Sequence, residues 1–436
     1  MITKNERLKE KTMKSSHKKI LIGFGLLWLI VTLIAGYYIQ RSARLFFALK
    51  DEMKRANTVK PSKAFEKLAM QEKYDISSLK DIAFESNNSE NKTEFMEKTE
   101  AFESNIDELS TKMLSQNYHD DWTTGVNYID TDTTNNKFDL TAPRVNYQKL
   151  RKLSNTISVM SLFYAYKKND KKAARLLMVN ASLIRQFISH CNENNGVALI
   201  DAMISLALVG NIRKVVEKSK GFNGYDSSLF PLLSDRLEKL DELYPLIGKA
   251  LRHERSLLPS FFERFNKRAS KEMGANTVVI DKKWMNDQLD LYYAPLEVFN
   301  TPYLKSRDTL KEYTKRIEKS GEVLSGSSLI WTGLFSPFKA VFQILSAIAI
   351  PNYIRAYEKE CIRRSELRGS YLAFAIPYYK TKYGEYPAAL SDLKKVVKPE
   401  MLVEPYTGEQ FTYKRRFDKV TLTSKIKDET ITYLDI

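Results

Sequence analysis

The side chains that most often bind metals or act as nucleophiles are few in this sequence and widely spaced. The histidines form no HExxH motif, and none has a second histidine four positions on; they are His17, His119, His190 and His253. Two cysteines, Cys191 and Cys361, are too few for a disulfide framework or a cysteine-based zinc site. A calcium-like loop begins at Asp130 but lacks the Gly at its sixth position and the Glu at its twelfth. We therefore predict no metal site and no cofactor.

Motifs for nucleophilic catalysis and phosphate binding are also missing. The sequence contains no GxSxG elbow and neither of the Gly-rich phosphate loops, GxxxxGKS/T and GxGxxG. Ser-x-x-Lys occurs at Ser77 and at Ser336, and in a sequence rich in Ser and Lys we interpret these tetrads as chance. No catalytic set assembles, so we predict no catalytic residue and favour a non-enzymatic protein.

Asp201 is the most conspicuous carboxylate because residues 197–209 around it are apolar almost throughout. A buried aspartate usually has a partner, such as an arginine or a helix cap, or else a raised pKa that suits catalysis. The sequence leaves both readings open. A deep pocket with Asp201, His253 or Glu254 converging in it would favour an enzyme or a small-ligand receptor.

Charge and composition place the chain among folded, basic proteins. It has 436 residues, is 43% hydrophobic, and carries 69 Lys and Arg against 53 Asp and Glu, a net charge of +16. The excess is spread along the chain, with no dense stripe beyond Lys414–Arg416. We predict no nucleic-acid partner and favour anionic lipid or envelope polymers as the source of any charge attraction.

An N-terminal apolar segment predicts a membrane anchor. Residues 20–39 contain no charge, and a helix of this length spans about 30 Å, the thickness of the hydrocarbon layer. Residues 1–19 are basic, which favours a cytoplasmic N-terminus. The segment is too long for a cleavable signal peptide and no small-x-small site follows it. We therefore predict an uncleaved single-pass helix at 20–40, with the bulk of the chain outside the cytoplasm of a bacterium.

The remainder of the chain reads as helical. Residues 91–116 predict one amphipathic helix, and residues 150–164 and 176–188 predict a helical hairpin that turns at Asn169–Asp170. Residues 197–209 predict a central buried helix, and further helices are expected around 228–266, 286–318 and 353–382. Pro337 and Lys339 divide the apolar region 327–350, so we expect a buried or membrane-surface helix from 339 to 350 there.

Alternation of apolar and polar residues appears only near the C-terminus. It predicts a hairpin of strands 410–414 and 419–423, with a third strand at 430–433. The predicted fold is therefore mainly α, with a tetratricopeptide-like helical-hairpin ectodomain and a small C-terminal antiparallel sheet.

The segment from Arg368 to Asp428 carries the most specific pattern. A Tyr-rich helix is followed by G-x-Y-P-x-x-L-x-x-L, by E-P-Y-x-G and by a Tyr-containing strand. Gly384 fits the position that closes a helix, and Pro387 fits the first turn of the next one. The motif residues are Gly384, Tyr386, Pro387, Leu390, Leu393, Pro405, Gly408 and Tyr413.

This order of features resembles the C-terminal half of the major pseudopilins of bacterial type II secretion. The resemblance implies an α+β tail and partners in a secretion assembly. It does not extend to the processing site, since Trp28 stands where that family has Glu, nor to its calcium loop, since residues 424–428 lack the Gly. The whole chain is similar to uncharacterised bacterial single-pass membrane proteins that carry such a tail.

These observations divide the chain into a cytoplasmic N-terminus (1–19), a transmembrane helix (20–40), a helical ectodomain (41–352) and a pseudopilin-like segment (353–436). We predict a protein of the bacterial inner membrane that acts as an interaction or scaffold module. The lipid bilayer and envelope or secretion-system proteins are its expected partners. The alternative is a membrane-anchored enzyme or small-ligand receptor with a pocket among the ectodomain helices.

Overall fold

The computed structural model describes residues 79–85, 89–115, 147–194, 197–219, 227–273, 282–322, 337–427 and 429–436. Within these ranges the chain is mainly helical, with a small antiparallel sheet at its C-terminal end, as predicted. The predicted N-terminus (1–19) and transmembrane helix (20–40) lie outside the described residues. In the described ranges no helix combines the length and the hydropathy needed to cross a bilayer.

Helices fill most of the described chain before the sheet. They are α1 (Leu79–Glu85), α2 (Ser89–Glu100), α3 (Glu103–Ser115), α4 (Tyr147–Tyr166), α5 (Asp170–Asn194), α6 (Leu199–Lys218), α7 (Phe230–Asp241), α8 (Leu246–Met273), α9 (Lys282–Tyr293), α10 (Tyr303–Glu322) and α11 (Pro337–Tyr383). Short 3-10 helices cover Ser227–Leu229, Ala294–Asn300, Leu390–Lys395 and Pro399–Leu402. The strands are β1 (Thr412–Arg416), β2 (Lys419–Ile426) and β3 (Glu429–Asp435).

The predicted helical hairpin is formed by α4 and α5. Lys168 takes a left-handed conformation (φ 58°) in the turn, and the Asn169 side chain accepts the N–H of Lys172 at 3.2 Å, which caps α5. Apolar residues at helical spacing, including Ile157 and Leu177, are completely buried. The predicted hairpin is therefore present, with its turn at residues 167–169 and with Asp170 as the first residue of α5.

Helix α6 lies at the centre of the helical body, where it contacts α4, α5, α8 and α11. Its apolar residues on several faces explain this position, because each face has a neighbour to bury against. Polar side chains in this core satisfy one another: Ser154 Oγ donates to Asn180 Oδ1 at 2.8 Å, and Asn211 Nδ2 donates to Ser154 Oγ at 3.3 Å. Such pairs fix the register of the three helices that carry them.

The single helix predicted over 91–116 is wrong. The structure has two helices, α2 and α3, separated by a turn at residues 101–102 in which the N–H of Phe102 donates to the Thr99 carbonyl. A straight helix would carry Phe95, Phe102 and Ile106 on one face. Because of the turn, Phe95 and Ile106 are buried in the core (1% exposed each), whereas Phe102 lies outside it and is 38% exposed.

The two helices predicted over 339–350 and 353–382 are one helix, α11. Pro337 begins it, because the first helical position needs no N–H donor. Pro351 lies inside α11, and burial of Ala356 and Tyr357 in the core beyond it favours continuation of the helix. The predicted boundary after residue 352 therefore falls within a continuous helix.

The sheet has the order β1-β2-β3 with antiparallel pairing, which confirms the predicted hairpin and third strand. The first strand begins at Thr412, and Gln410 instead forms an isolated bridge with Val403. Alternate residues of β2, including Val420 and Leu422, are buried, so one face of the sheet packs on α11 while the other is polar.

Candidate interaction site

The two glycines of the C-terminal motif occupy backbone positions that other residues tolerate poorly. Gly384 has φ +84°, and its N–H donates to the Lys380 carbonyl at 2.8 Å, which closes α11. Gly408 has φ +78°, and a Cβ on it would lie 2.8 Å from Cγ of Pro302. Gly408 thus lets the loop before β1 approach the start of α10.

Tyr386, Pro387 and Tyr413 meet where the hairpin packs against the turn that follows α11. The Tyr413 hydroxyl donates to the Pro387 carbonyl at 2.6 Å, and Nζ of Lys380 lies 4.2 Å from the centre of the Tyr386 ring. We predicted that Pro387 lies in the first turn of the next helix, and this prediction is wrong. That helix begins at Leu390, because the Asp392 carboxylate accepts the N–H of Ala389 at 2.9 Å and caps it there.

The remaining motif residues complete a joint between the helical body and the sheet. Leu390 is 5% exposed and Leu393 is completely buried. The Pro405 carbonyl accepts the N–H of Tyr303 at 3.3 Å, and the ring of Tyr406 stacks on that of Tyr303 with centroids 5.4 Å apart. The eight motif residues therefore hold elements together, and the structure gives them no reactive arrangement.

A buried ionic cluster strengthens the same joint. Asp241, at the end of α7 and 3% exposed, accepts two hydrogen bonds from Arg364 (2.8 and 2.9 Å) and two from Arg368 (3.0 and 2.7 Å). Burial alone would raise the pKa of Asp241, but the hydrogen bonds and charges of both arginines outweigh it and hold this pKa below its ordinary value. Arg368 also donates to the carbonyls of Glu400 and Val403, so the cluster links α7, α11 and the tail.

Glu360 provides a second buried carboxylate on α11. It accepts the N–H groups of Leu246 and Ile247, the latter at 3.1 Å, and so caps the N-terminus of α8. Burial raises the pKa of Glu360 to about 7, although these hydrogen bonds and the charge of Arg364 act in the opposite direction. A carboxyl with such a pKa often marks a functional site, but here it is committed to the end of a helix.

Sequence reasoning did not find this cluster. Its only sequence signal is the spacing of four between Arg364 and Arg368, which places both guanidinium groups on one face of a helix. Their partner Asp241 lies more than 120 positions earlier in the chain. No local pattern relates residues so far apart.

Asp201 and Glu254 converge on the N-terminus of α6. The carboxylate of Asp201 accepts the Tyr147 hydroxyl at 2.5 Å and the N–H of Ala198 at 2.9 Å, and Glu254 accepts the N–H of Leu199 at 2.9 Å. Both carboxylates therefore satisfy donors that a helix leaves without intrahelical partners. Of the two readings left open for Asp201, the structure supports the helix cap.

A cleft in the described part of the chain lies elsewhere, between α8 and α9. Its volume is about 570 Å³, and it is lined by Arg252, Arg255, Ser256, Pro259, Asn286, Leu289 and Asp290. Arg255 forms an ion pair with Asp290 across it. Over the described ranges, His, Cys, Asp and Glu form no group of three or more that could hold a metal ion.

Comparison with protein-family models, with curated proteins and with solved structures gave no match for this chain.

Proposed function

We propose that this chain is a membrane-anchored, non-enzymatic interaction or scaffold protein of the bacterial cell envelope. A transmembrane helix at 20–40 holds it in the inner membrane, with the N-terminus in the cytoplasm and the bulk outside. The helical-hairpin ectodomain and the pseudopilin-like segment present binding surfaces to envelope proteins, including those of secretion or pseudopilus-type assemblies.

The observation that supports this proposal is the joint between the helical body and the tail. Its buried charged groups, which could otherwise serve chemistry, are engaged between elements: Asp241 with two arginines, Glu360 with the end of α8. Breaking a buried pair by removing one partner costs about 3–5 kcal/mol, so the joint holds the tail in a defined position. A tail fixed in this way suits a binding platform.

The anchor is tested with the full chain in its membrane. After alkaline carbonate washing the protein should remain in the membrane fraction, and in spheroplasts external protease should remove a tag placed after Ile436. A tag that stays protected, or a chain released by carbonate, would refute the anchored topology.

The partner is tested by crosslinking intact cells and purifying the tagged full chain in detergent. We expect envelope proteins to be recovered with the native chain and to be depleted with Asp241→Leu, which breaks the joint. Lys311→Ala is the matched control, because its pair with Asp308 is exposed at both ends and lies within α10. Recovery of no envelope protein with the native chain would contradict the proposal.

The cleft between α8 and α9 favours one rival, a small-ligand receptor or enzyme. Arg252 and Arg255 on its wall would suit an anionic ligand. In thermal-shift assays, an anionic metabolite that stabilises the native chain but not Arg252→Ala would support this rival. No shift with any such compound would count against it.

A further inference from the structure

The turn between β1 and β2 exposes an aromatic side chain among basic ones. Arg416 and Lys419 close the hairpin, and Phe417 and Asp418 form its two-residue loop. The Phe417 side chain is 96% exposed, the most exposed of the large apolar residues in the described part of the chain. We call residues 414–419 the hairpin tip; it contains four basic residues and one acidic residue.

Several features of the hairpin tip are unfavourable in water. Arg416 and Lys419 are directly opposite each other in the register, where like charges destabilise a hairpin. Phe417 has φ +54°, a left-handed conformation that Gly, Asn and Asp adopt readily and that is unfavourable for a bulky side chain such as Phe. Lys414, Arg416 and Lys419 form no ion pair with any other described residue. An anionic surface with an apolar interior would compensate both the repulsion and the exposure.

The hairpin tip is held in position by one of its own residues, Arg415. The Arg415 guanidinium donates to the Tyr386 carbonyl and pairs with Glu385 at 3.1 Å, which fastens β1 to the turn after α11. Successive side chains of a strand point to opposite faces, so Lys414 and Arg416 point away from this contact, and both are exposed. The basic groups and Phe417 are therefore presented on a fixed support, and binding requires little further ordering.

We infer that the hairpin tip docks on the surface of an anionic phospholipid bilayer. Phe417 enters the interface between headgroups and hydrocarbon, and Lys414, Arg416 and Lys419 contact lipid phosphates. Phe is among the side chains that interfacial segments bury at this depth, and each basic residue near an anionic surface strengthens binding about fivefold. The inference deepens the proposed function and rests on it for the presence of a bilayer near the tail.

The experiment uses the full chain in nanodiscs of phosphatidylcholine, with or without phosphatidylglycerol. Hydrogen–deuterium exchange of the amides in residues 414–419 reports docking. We expect exchange to slow severalfold only with phosphatidylglycerol and to recover at high salt, which screens charge. Replacing Lys414 and Arg416 by Gln should weaken docking by about fivefold for each residue.

Two variants separate docking from folding. Phe417→Asn keeps the hairpin, because Asn tolerates the left-handed conformation, yet it should abolish the slowed exchange. Lys425→Gln removes the same charge from an exposed position at the other end of β2 and should change nothing. Full protection in Phe417→Asn, or equal exchange in both kinds of nanodisc, would overturn the inference. Crosslinks from the tip to a copurified protein, with no response to lipid, would instead assign the tip to a protein partner.

The proposed anchor is tested separately by the same samples. If the chain fails to enter phosphatidylcholine nanodiscs, the anchor is refuted. Nanodiscs that contain phosphatidylglycerol are then added to the unincorporated chain, and slowed exchange at the tip still supports docking, while unchanged exchange refutes it.

Discussion

Gly369 lies inside α11, beneath the ring of Tyr433 in β3. Adding a methyl group at this position by Gly369→Ala tests how closely the sheet packs on the helix. A Cβ at this position would be 2.6 Å from Cε1 of Tyr433 and nearer still to two other ring carbons. Carbon atoms pack at about 3.5–4.0 Å, so the ring would have to retreat by about 1 Å. Since Tyr433 is 3% exposed, a retreat of the ring must lift β3 from α11.

We expect Gly369→Ala to lower the free energy of unfolding by about 2 kcal/mol. Overpacking costs about 1–3 kcal/mol, with the upper value expected against a rigid ring, and Ala in a helix interior returns about 1 kcal/mol. Gly248→Ala in α8 is the matched control, because its added Cβ would make ordinary contacts at 3.5 Å. The control should gain about 1 kcal/mol, which separates the two variants by about 3 kcal/mol.

Urea denaturation of the full chain in a mild detergent, followed by circular dichroism, measures both variants. The double variant Gly369→Ala/Tyr433→Leu should lose less stability than the sum of its single changes, because the smaller side chain leaves room for the methyl group. If Gly369→Ala and Gly248→Ala are equally stable, or the double variant shows no coupling, the close packing of Tyr433 on α11 is refuted.

Three further predictions concern the joint. Burial raises the pKa of Glu360 from 4.5 to about 7, so the folded chain binds this proton more tightly than the unfolded chain does. The free energy of unfolding should therefore fall by about 3 kcal/mol as the pH rises from about 4.5 to about 7. Urea titrations should show no such fall for Glu360→Gln, and an unchanged fall in this variant would assign it to other groups. Asp241→Leu leaves the buried Arg368 and the partly buried Arg364 without their carboxylate and should cost about 3–5 kcal/mol by the same assay. The exposed Lys311→Ala should cost less than about 0.5 kcal/mol, and similar losses in the two variants would contradict the burial of the cluster. Gly384→Ala should lower the free energy of unfolding by about 1 kcal/mol through the positive φ alone, since no atom lies within 4 Å of the added Cβ. Gly384→Asn should recover part of this loss, because Asn tolerates the left-handed conformation. Full stability of the Ala variant in the same assay would exclude that conformation.

Local patterns in the sequence were sufficient for most secondary structure. The apolar spacing that predicted α4 and α5 is the spacing that buries Ile157 and Leu177, and Asn169 both ends the turn and caps α5. Alternation likewise located the hairpin near the C-terminus. These signals succeed because the burial of one face requires a periodicity that neighbouring residues display directly.

Several helix boundaries could not be read in this way, since the helices expected around 228–266 and 286–318 are interrupted at residues 242–245 and 294–302. The turn at Phe102 interrupts a pattern that is continuous in sequence, and Pro351 lies inside a helix that we predicted to end at residue 350. In both cases packing against distant elements decides the outcome, since tertiary contacts outweigh local preferences of about 1–3 kcal/mol.

The candidate sites divide in the same manner. The basic triplet Lys414–Arg416 was visible in the sequence, whereas the exposure of Phe417 beside it became evident only once β1 and β2 were paired. Asp201 stood out as a buried carboxylate, but its role as a helix cap depends on Tyr147 and on the start of α6.

By itself the sequence determined the helical character of the chain, its C-terminal hairpin and the glycines that its turns require, because each of these depends on residues within a few positions of one another. Only the tertiary structure decided that Asp241 faces two arginines of α11, that Glu360 caps α8 and that Tyr433 covers Gly369. The physical reason is that burial and charge pairing act through space, between side chains that the order of the chain leaves far apart.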